Sequence, residues 1–251
     1  MMRKNRSSLC LVILLVATQG LSGCRHTEPP YGTEAQLALP SRDAQVWAVA
    51  PAVDLSGQRE VDPILQADLL YQQLQTVRGI TAVPVNRTAE VYASLGIVRV
   101  QSEDEAGLVC EMLGCDGLVV PTVTAFDPYN PPKFGASLQL FRAGPSKSAA
   151  RVDPREMTRR AAPPPPPPED EALPPPGAGS YRQAVGMFEA ANGTVRDALL
   201  AYAAGRNDPL GPMGAKEYLA SMDRYCGFVY HELIARLISE MAREKYAGAG
   251  R

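Results

Sequence analysis

The sequence predicts an α/β domain in which strands and helices alternate, and three observations predict it. Short apolar runs bounded by turn residues recur at Val46 to Val53, Ile80 to Val85 and Gly117 to Phe126, the pattern of strands covered on both faces. Between them lie segments whose apolar residues fall at helical spacing behind recognisable caps. The chain then closes on one long amphipathic segment, Ala215 to Lys245.

Each element has its own signal. The run Val46 to Val53 ends in a turn through Asp54, Ser56 and Gly57. Asp62 is placed to cap a helix that has Pro63 at its first position, where a missing N–H costs nothing. Ile64, Ala67, Leu70, Tyr71, Leu74 and Val77 make its stripe, and Gly79 closes it before the strand Ile80 to Val85. Thr88 is the expected cap of a short helix running to Leu95 and ended by Gly96. Ser102 and Glu105 form a capping box for a helix with Ala106, Val109, Cys110 and Leu113 on its inner face and Gly114 at its end.

Gly117 to Phe126 and Gly135 to Arg142 are expected to be strands, joined through the proline-stiffened Asp127-Pro128-Tyr129-Asn130-Pro131-Pro132. From Gly144 to Ser180 the pattern breaks down: 11 of the chain's 23 prolines lie there, six of them consecutive from Pro163 to Pro168. Such composition buries too little apolar surface to offset the entropy of ordering. Residues 144–180 are therefore expected to be a disordered Pro-rich insertion in a single domain made of 44–143 and 181–246. Gln183 to Ala191 reads as a strand and Thr194 to Ala204 as a helix. The last helix carries Leu219, Met222, Cys226, Val229, Leu233, Leu237 and Met241 inward, with Glu232 and Arg236 as an i,i+4 pair on its wet face.

The amino terminus points to export. Arg3, Lys4 and Arg6 precede an uncharged apolar run from Leu9 to Ala17, followed by Leu21-Ser22-Gly23-Cys24. These are the parts of a secretory signal, and the run falls short of the about 20 residues a spanning helix needs. Leu21 to Cys24 resembles the lipobox of bacterial lipoproteins. The resemblance implies cleavage between Gly23 and Cys24, removal of residues 1–23, and a diacylglyceryl group with further acylation (palmitate or similar) on Cys24. Two or three acyl chains make a durable anchor. Residues 24–43, with Pro29, Pro30, Gly32 and Pro40, read as a tether reaching about 25 Å if coiled. Arg25 rather than aspartate follows the cysteine, which by the same resemblance favours the outer membrane, periplasmic face, with the inner membrane as the other possibility.

Loss of the signal removes three cations and no acid, so formal charge passes from −2 to −5. That balance gives no electrostatic reason to expect nucleic acid. Cys110, Cys115 and Cys226 remain after Cys24 is acylated; they are either three buried thiols or one disulfide and a thiol. His26 and His231 are the only histidines and have no paired ligand spacing, so neither a metal nor a cofactor is expected.

One further resemblance rests on Val46-Trp47-Ala48-Val49-Ala50-Pro51-Ala52 followed by Asp54-Leu55-Ser56, on a second strand ending near Pro84, and on Met112-Leu113-Gly114-Cys115-Asp116-Gly117-Leu118-Val119-Val120. In this order they resemble a group of envelope proteins: the curli secretion-channel subunits, the lipoprotein activators of penicillin-binding proteins, and the amino-terminal domain of the Tol propeller protein. The likeness runs over residues 44–142 and more weakly 181–245. It implies a mixed sheet with flanking helices, anticodon-binding-domain-like. A pore is not expected, because the one long insertion is rich in proline, which cannot join a barrel ladder.

No Gly-x-Ser-x-Gly, His-Glu-x-x-His or phosphate-cradling glycine loop occurs, and these are the commonest sequence marks of hydrolytic or nucleotide chemistry. His231 beside Glu232 is the one acid–base pair a catalytic reading could use. The function expected is that of a non-catalytic interaction or adaptor domain in cell-envelope assembly or maintenance, binding membrane lipid through Cys24 and an envelope protein elsewhere. A cell-envelope hydrolase with an unrecognised site is the alternative. The expected partner-binding surface is the loop Asp127 to Lys133 with Phe126, Tyr129 and Phe134, since stiff loops on a firm scaffold carry function disproportionately.

Overall fold

The computed structural model describes residues 36–41, 43–142, 181–204, 206 and 213–248. The expected signal, the acylated Cys24, most of the tether and the Pro-rich insertion 144–180 lie outside the described residues. What is described is a mixed sheet flanked by helices on both faces, closed by a long C-terminal helix.

The first strand is shorter than its apolar run. β1 covers Gln45–Val49, and the chain then breaks at Ala50-Pro51-Ala52 before the two-residue β2, Val53–Asp54. Pro51 has no N–H for a ladder. Ala50 still donates to the Val119 carbonyl at 2.9 Å, but Ala52 donates to Pro63 at 3.0 Å, which turns the chain toward the next helix. That helix, α1, is Pro63–Gln75, with Asp62 Oδ1 accepting from the Ile64 and Leu65 N–H groups. Its buried face is Gln66, Ala67, Leu70 and Leu74. Ile64, expected in the stripe, is exposed instead and lines an open cleft between this helix and the next.

β3 is Ile80–Val83, and α2 is Val85–Leu95. Thr88 does not cap this helix: Pro84 holds the N-cap position, and Thr88 is buried a turn inside. The capping box before α3, Glu103–Leu113, forms as expected, with Ser102 Oγ accepting from Glu105 N–H at 3.2 Å while Glu105 Oε2 reaches back to the Gln101 N–H at 2.7 Å. Gly114 ends α3 at φ 64°, a left-handed conformation glycine takes without penalty.

β4 is Gly117–Asp127, β5 Lys133–Arg142 and β6 Tyr181–Glu189. The sheet order is β3-β1-β4-β5-β6, with β2 beside β4. β1 runs parallel to β3 and β4, whereas β5 is antiparallel to both of its neighbours, β4 and β6. Asp116 fixes where β1 meets β4: its N–H donates to the Val46 carbonyl and its Oδ2 accepts from the Val46 N–H, both at 2.7 Å.

α4 is Gly193–Ala204. The long helix expected from Ala215 is interrupted, giving α5, Lys216–Ala220, and α6, Met222–Gly248. Ser221 between them is extended (φ −118°, ψ 117°), and serine's own hydrogen bonding competes with helical backbone. Its Oγ and carbonyl accept from the Arg224 and Tyr225 N–H groups and so begin α6.

Side chains alternate across the sheet with period two. Trp47, Val49, Val119, Phe134, Leu138 and Leu140 face α1 and α6, where Leu70, Leu74, Tyr230, Leu233 and Leu237 complete the larger core. Ala48, Ala50, Leu118 and Val120 face α2 and α3, packing on Tyr92, Val109, Cys110 and Cys115. The Glu232–Arg236 pair is also placed differently from expectation, since Arg236 turns to β6, donating to the Val185 carbonyl at 3.1 Å and lying 4.8 Å over the Phe188 ring.

Candidate functional site

The β4–β5 hairpin builds a small projecting tip on a firm base. Asp127 pairs with Lys133 in register, leaving residues 128–132 as the loop. Within it Asp127 Oδ1 accepts from the Tyr129 N–H at 3.1 Å, an Asx turn of the kind that presets a loop. The Asn130–Pro131 peptide is cis. The Pro132 carbonyl accepts from Ala190 N–H at 3.0 Å, which ties the loop's far side to the end of β6.

The three aromatics expected to bind a partner divide. Tyr129 is 81% exposed. Phe134 is 0% exposed and belongs to the core, packed edge-on against Tyr230 with ring centroids 5.6 Å apart. Phe126 lies between these extremes, partly buried and edge-on to Phe134 at 6.2 Å. A stack Phe126–Phe134–Tyr230 thus anchors the base of the hairpin to α6, and Tyr129 is the aromatic left for contact. Phe134 alternates inward with Ala136, Leu138 and Leu140, a period that marks it as core once β5 starts at Lys133.

His231, the candidate base, sits on α6 among Tyr202, Arg206 and Glu232. Arg206 Nη2 is 3.5 Å from its Nδ1, and the Tyr202 ring centroid is 5.0 Å from the imidazole's. Burial first, and the Arg206 charge second, lower its pKa to about 4, so the ring is neutral at physiological pH and accepts from Arg206. Arg206 in turn stacks 3.8 Å over Tyr202. Burial raises the Glu232 carboxyl above its ordinary value, and Arg236 opposes that shift. Neighbours on a helix point about 100° apart, so the two side chains serve different surroundings.

An open cleft of about 590 Å³ lies between α1 and α2, lined by Ile64, Asp68, Pro84, Val85, Asn86 and Glu90 among others. Glu90 is bound to Arg87 at 3.2 Å. No group of three or more potential metal ligands occurs among the described residues. Sequence reading passed over Val185 and Met187, which are exposed on the edge strand β6 while Ala184 and Phe188 face the core. Apolar residues on both sides of a strand carry no signal of which side stays open.

The fold and the hairpin define a class, an open α/β sheet with an aromatic-tipped loop. No family model and no curated protein matches the chain. Among solved structures, it is similar to the PelC dodecamer from Paraburkholderia phytofirmans at 9% identity, covering 84% of this chain and 96% of that one with a TM-score of 0.33. It is similar to the hypothetical protein CT253 from Chlamydia trachomatis at 11% identity over 80% and 99% of the two chains, TM-score 0.37. Lipoprotein GNA1162 from Neisseria meningitidis gives 16%, over 39% of this chain and 72% of that one, TM-score 0.31.

The expected membership in the curli-channel, activator and Tol-domain group is therefore overturned. Only remote, low-identity structural resemblance to unrelated folds is found, and no family model supports the group. The residues that suggested the group have local explanations instead. Leu113-Gly114 is a helix end and Asp116 pins β1 to β4, features any α/β domain can use. Among the described residues no helix is long and apolar enough to cross a membrane.

Proposed function

We propose that this chain is a lipid-anchored lipoprotein facing the periplasm, which acts as a non-catalytic interaction domain in the cell envelope and meets its partner through the β4–β5 tip. The observation that carries the reading is Tyr129, 81% exposed on a loop held by its own Asx turn and by the Pro132–Ala190 bond. An exposed aromatic on a preset loop gives contact area at little cost in entropy. The anchor rests on the sequence Leu21 to Cys24, with Arg25 favouring the outer membrane. We also infer an anticodon-binding-domain-like plan carrying a disordered Pro-rich insertion at 144–180. That an insertion falls between β5 and β6 is supported by Phe141 and Tyr181, which are register partners.

A photocrosslinking residue at position 129, in the acylated chain in intact envelopes, should give a discrete crosslinked species. The same residue at exposed Val98 on the α2–α3 connection should give none. In a separate pull-down with the acylated chain, Tyr129→Ala should weaken capture of the same partner by about 1 kcal/mol or more and leave unfolding unchanged. Capture unaffected by Tyr129→Ala would reject the tip as the contact surface. For the anchor, Cys24→Ala should release the protein from membranes or leave it uncleaved; normal processing with membrane retention would reject lipidation.

A further inference from the structure

We propose that Cys110 and Cys115 are a disulfide-forming pair that covalently closes the C-terminal end of α3, with Cys226 remaining a thiol. The backbone places the two side chains together. The Cys115 N–H donates to the Cys110 carbonyl at 3.0 Å, and the Gly114 N–H donates to the Glu111 carbonyl at 3.3 Å, around a left-handed Gly114. These are the two bonds of a Schellman motif. Its first and last residues are the positions whose side chains meet across a helix end, and here both are cysteines. Both are buried, in the core between the sheet and the α2–α3 layer.

Cys226 is excluded by the sheet itself, since it lies in the opposite core, between the sheet and α6. The three thiols of the described chain thus sort into a facing pair and a remote single. That sorting resolves which pairing could occur, a matter composition left open.

The two thiols also feel each other in the finished fold. In the fold the neighbouring Cys115 thiol, and burial after it, push the Cys110 thiol up. The neighbouring Cys110 lowers Cys115 in turn, aided by backbone N–H groups of Ala48, Gly117 and Cys115 itself and opposed by burial. Before the fold closes over them, the thiolate of either cysteine displaces one thiol from a disulfide-bearing oxidant, forming a mixed disulfide. The other cysteine's sulfur, losing its proton, attacks the sulfur of the first and expels the second thiol. Two electrons pass to the oxidant and two protons are released or taken up by the leaving thiols. Because both sulfurs are buried in the finished fold, exchange takes place before or during folding.

Formation in the cell rests on the proposed export, because oxidants of this class act in the envelope and not in a reducing cytosol; the geometry does not. Full chain from membranes is denatured in the presence of N-ethylmaleimide and digested with trypsin. Residues 100–133 contain no internal Lys or Arg, so both cysteines fall in one peptide, and Cys226 falls in residues 225–236. The expected result is an unalkylated 100–133 peptide lighter by two hydrogens than its reduced form, and an alkylated Cys226 peptide. A second sample is reduced, unfolded and refolded with glutathione disulfide. Closure in both samples supports the pair. Closure only on refolding supports the pair and counts against export. Two alkyl groups on the 100–133 peptide in both samples, or any disulfide to Cys226, overturns the proposal.

Discussion

Tyr230 donates its phenolic hydrogen to Oε1 of Gln66 at 3.0 Å, joining α6 to α1 across the larger core, and both residues are buried. The bond satisfies two groups that water cannot reach. Tyr230→Phe removes the donor and strands the amide oxygen, which should cost about 1–3 kcal/mol of unfolding free energy by urea titration. Adding Gln66→Leu removes the stranded group as well, so the double variant should recover part of that loss. A double variant no more stable than Tyr230→Phe would show that the cost is packing and not desolvation.

Two glycines should respond in opposite directions to alanine. A methyl on Gly117 would lie 2.9 Å from Leu140 Cδ1 and 3.3 Å from the Phe141 carbonyl oxygen. One contact is with backbone that is held in the β4–β5 ladder, so Gly117→Ala should destabilise by about 1–3 kcal/mol. Gly107 lies inside α3 with nothing within 4 Å of the added methyl, so Gly107→Ala should stabilise by about 0.5–1 kcal/mol. Thermal melts of the two variants beside the parent decide both.

Local signals carried well into the structure where one residue decides the outcome. Asp62, Ser102, Glu105, Gly96 and Gly114 each sit at the helix end their chemistry predicts. Thr88 did not, because Pro84 already fixes a backbone suited to starting α2 and Thr88 then falls on its buried side. The break at Ser221 was hidden, since Leu219, Met222 and Cys226 keep helical spacing across it. At the hairpin the prolines and Tyr129 were legible as a stiff loop with an aromatic. That Phe134 is core depends on where β5 begins and on α6 bringing Tyr230 to it, contacts distant in sequence. The Cys110–Cys115 motif was likewise visible only as a helix end, because its meaning lies in two backbone hydrogen bonds.

Residues 142–180 join Phe141 to Tyr181, which are already partners across the β5–β6 ladder. A short turn can make the same connection. Replacing 144–180 with five Gly/Ser residues removes close to three doublings of loop length, at about 0.6 kcal/mol each. Unfolding free energy should therefore stay level or rise by up to about 2 kcal/mol in a urea titration. A marked fall would show that the segment packs on the domain.

His231 should make the fold acid-sensitive over a defined window. Its pKa is lowered to about 4 in the folded chain by burial first and Arg206 second, against about 6.5 in an unfolded chain. Between these values the unfolded state binds a proton that the folded state does not, so stability is full above about pH 6.5 and declines toward pH 4. The depression corresponds to about 3 kcal/mol at most, since one unit is worth about 1.4 kcal/mol. The facing groups are Arg206, whose Nη2 lies 3.5 Å from Nδ1, and Tyr202, whose ring packs on the imidazole. Adjacent Glu232 is raised by burial and works the other way, binding its proton more readily in the fold. Comparing the parent with His231→Gln cancels that contribution, because both retain Glu232. The parent should lose stability more steeply than His231→Gln from pH 6.5 to 4, with the two curves parallel above pH 7. Parallel curves over the whole range would show that His231 titrates with the same pKa in both states, and that Arg206 and burial do not hold it neutral.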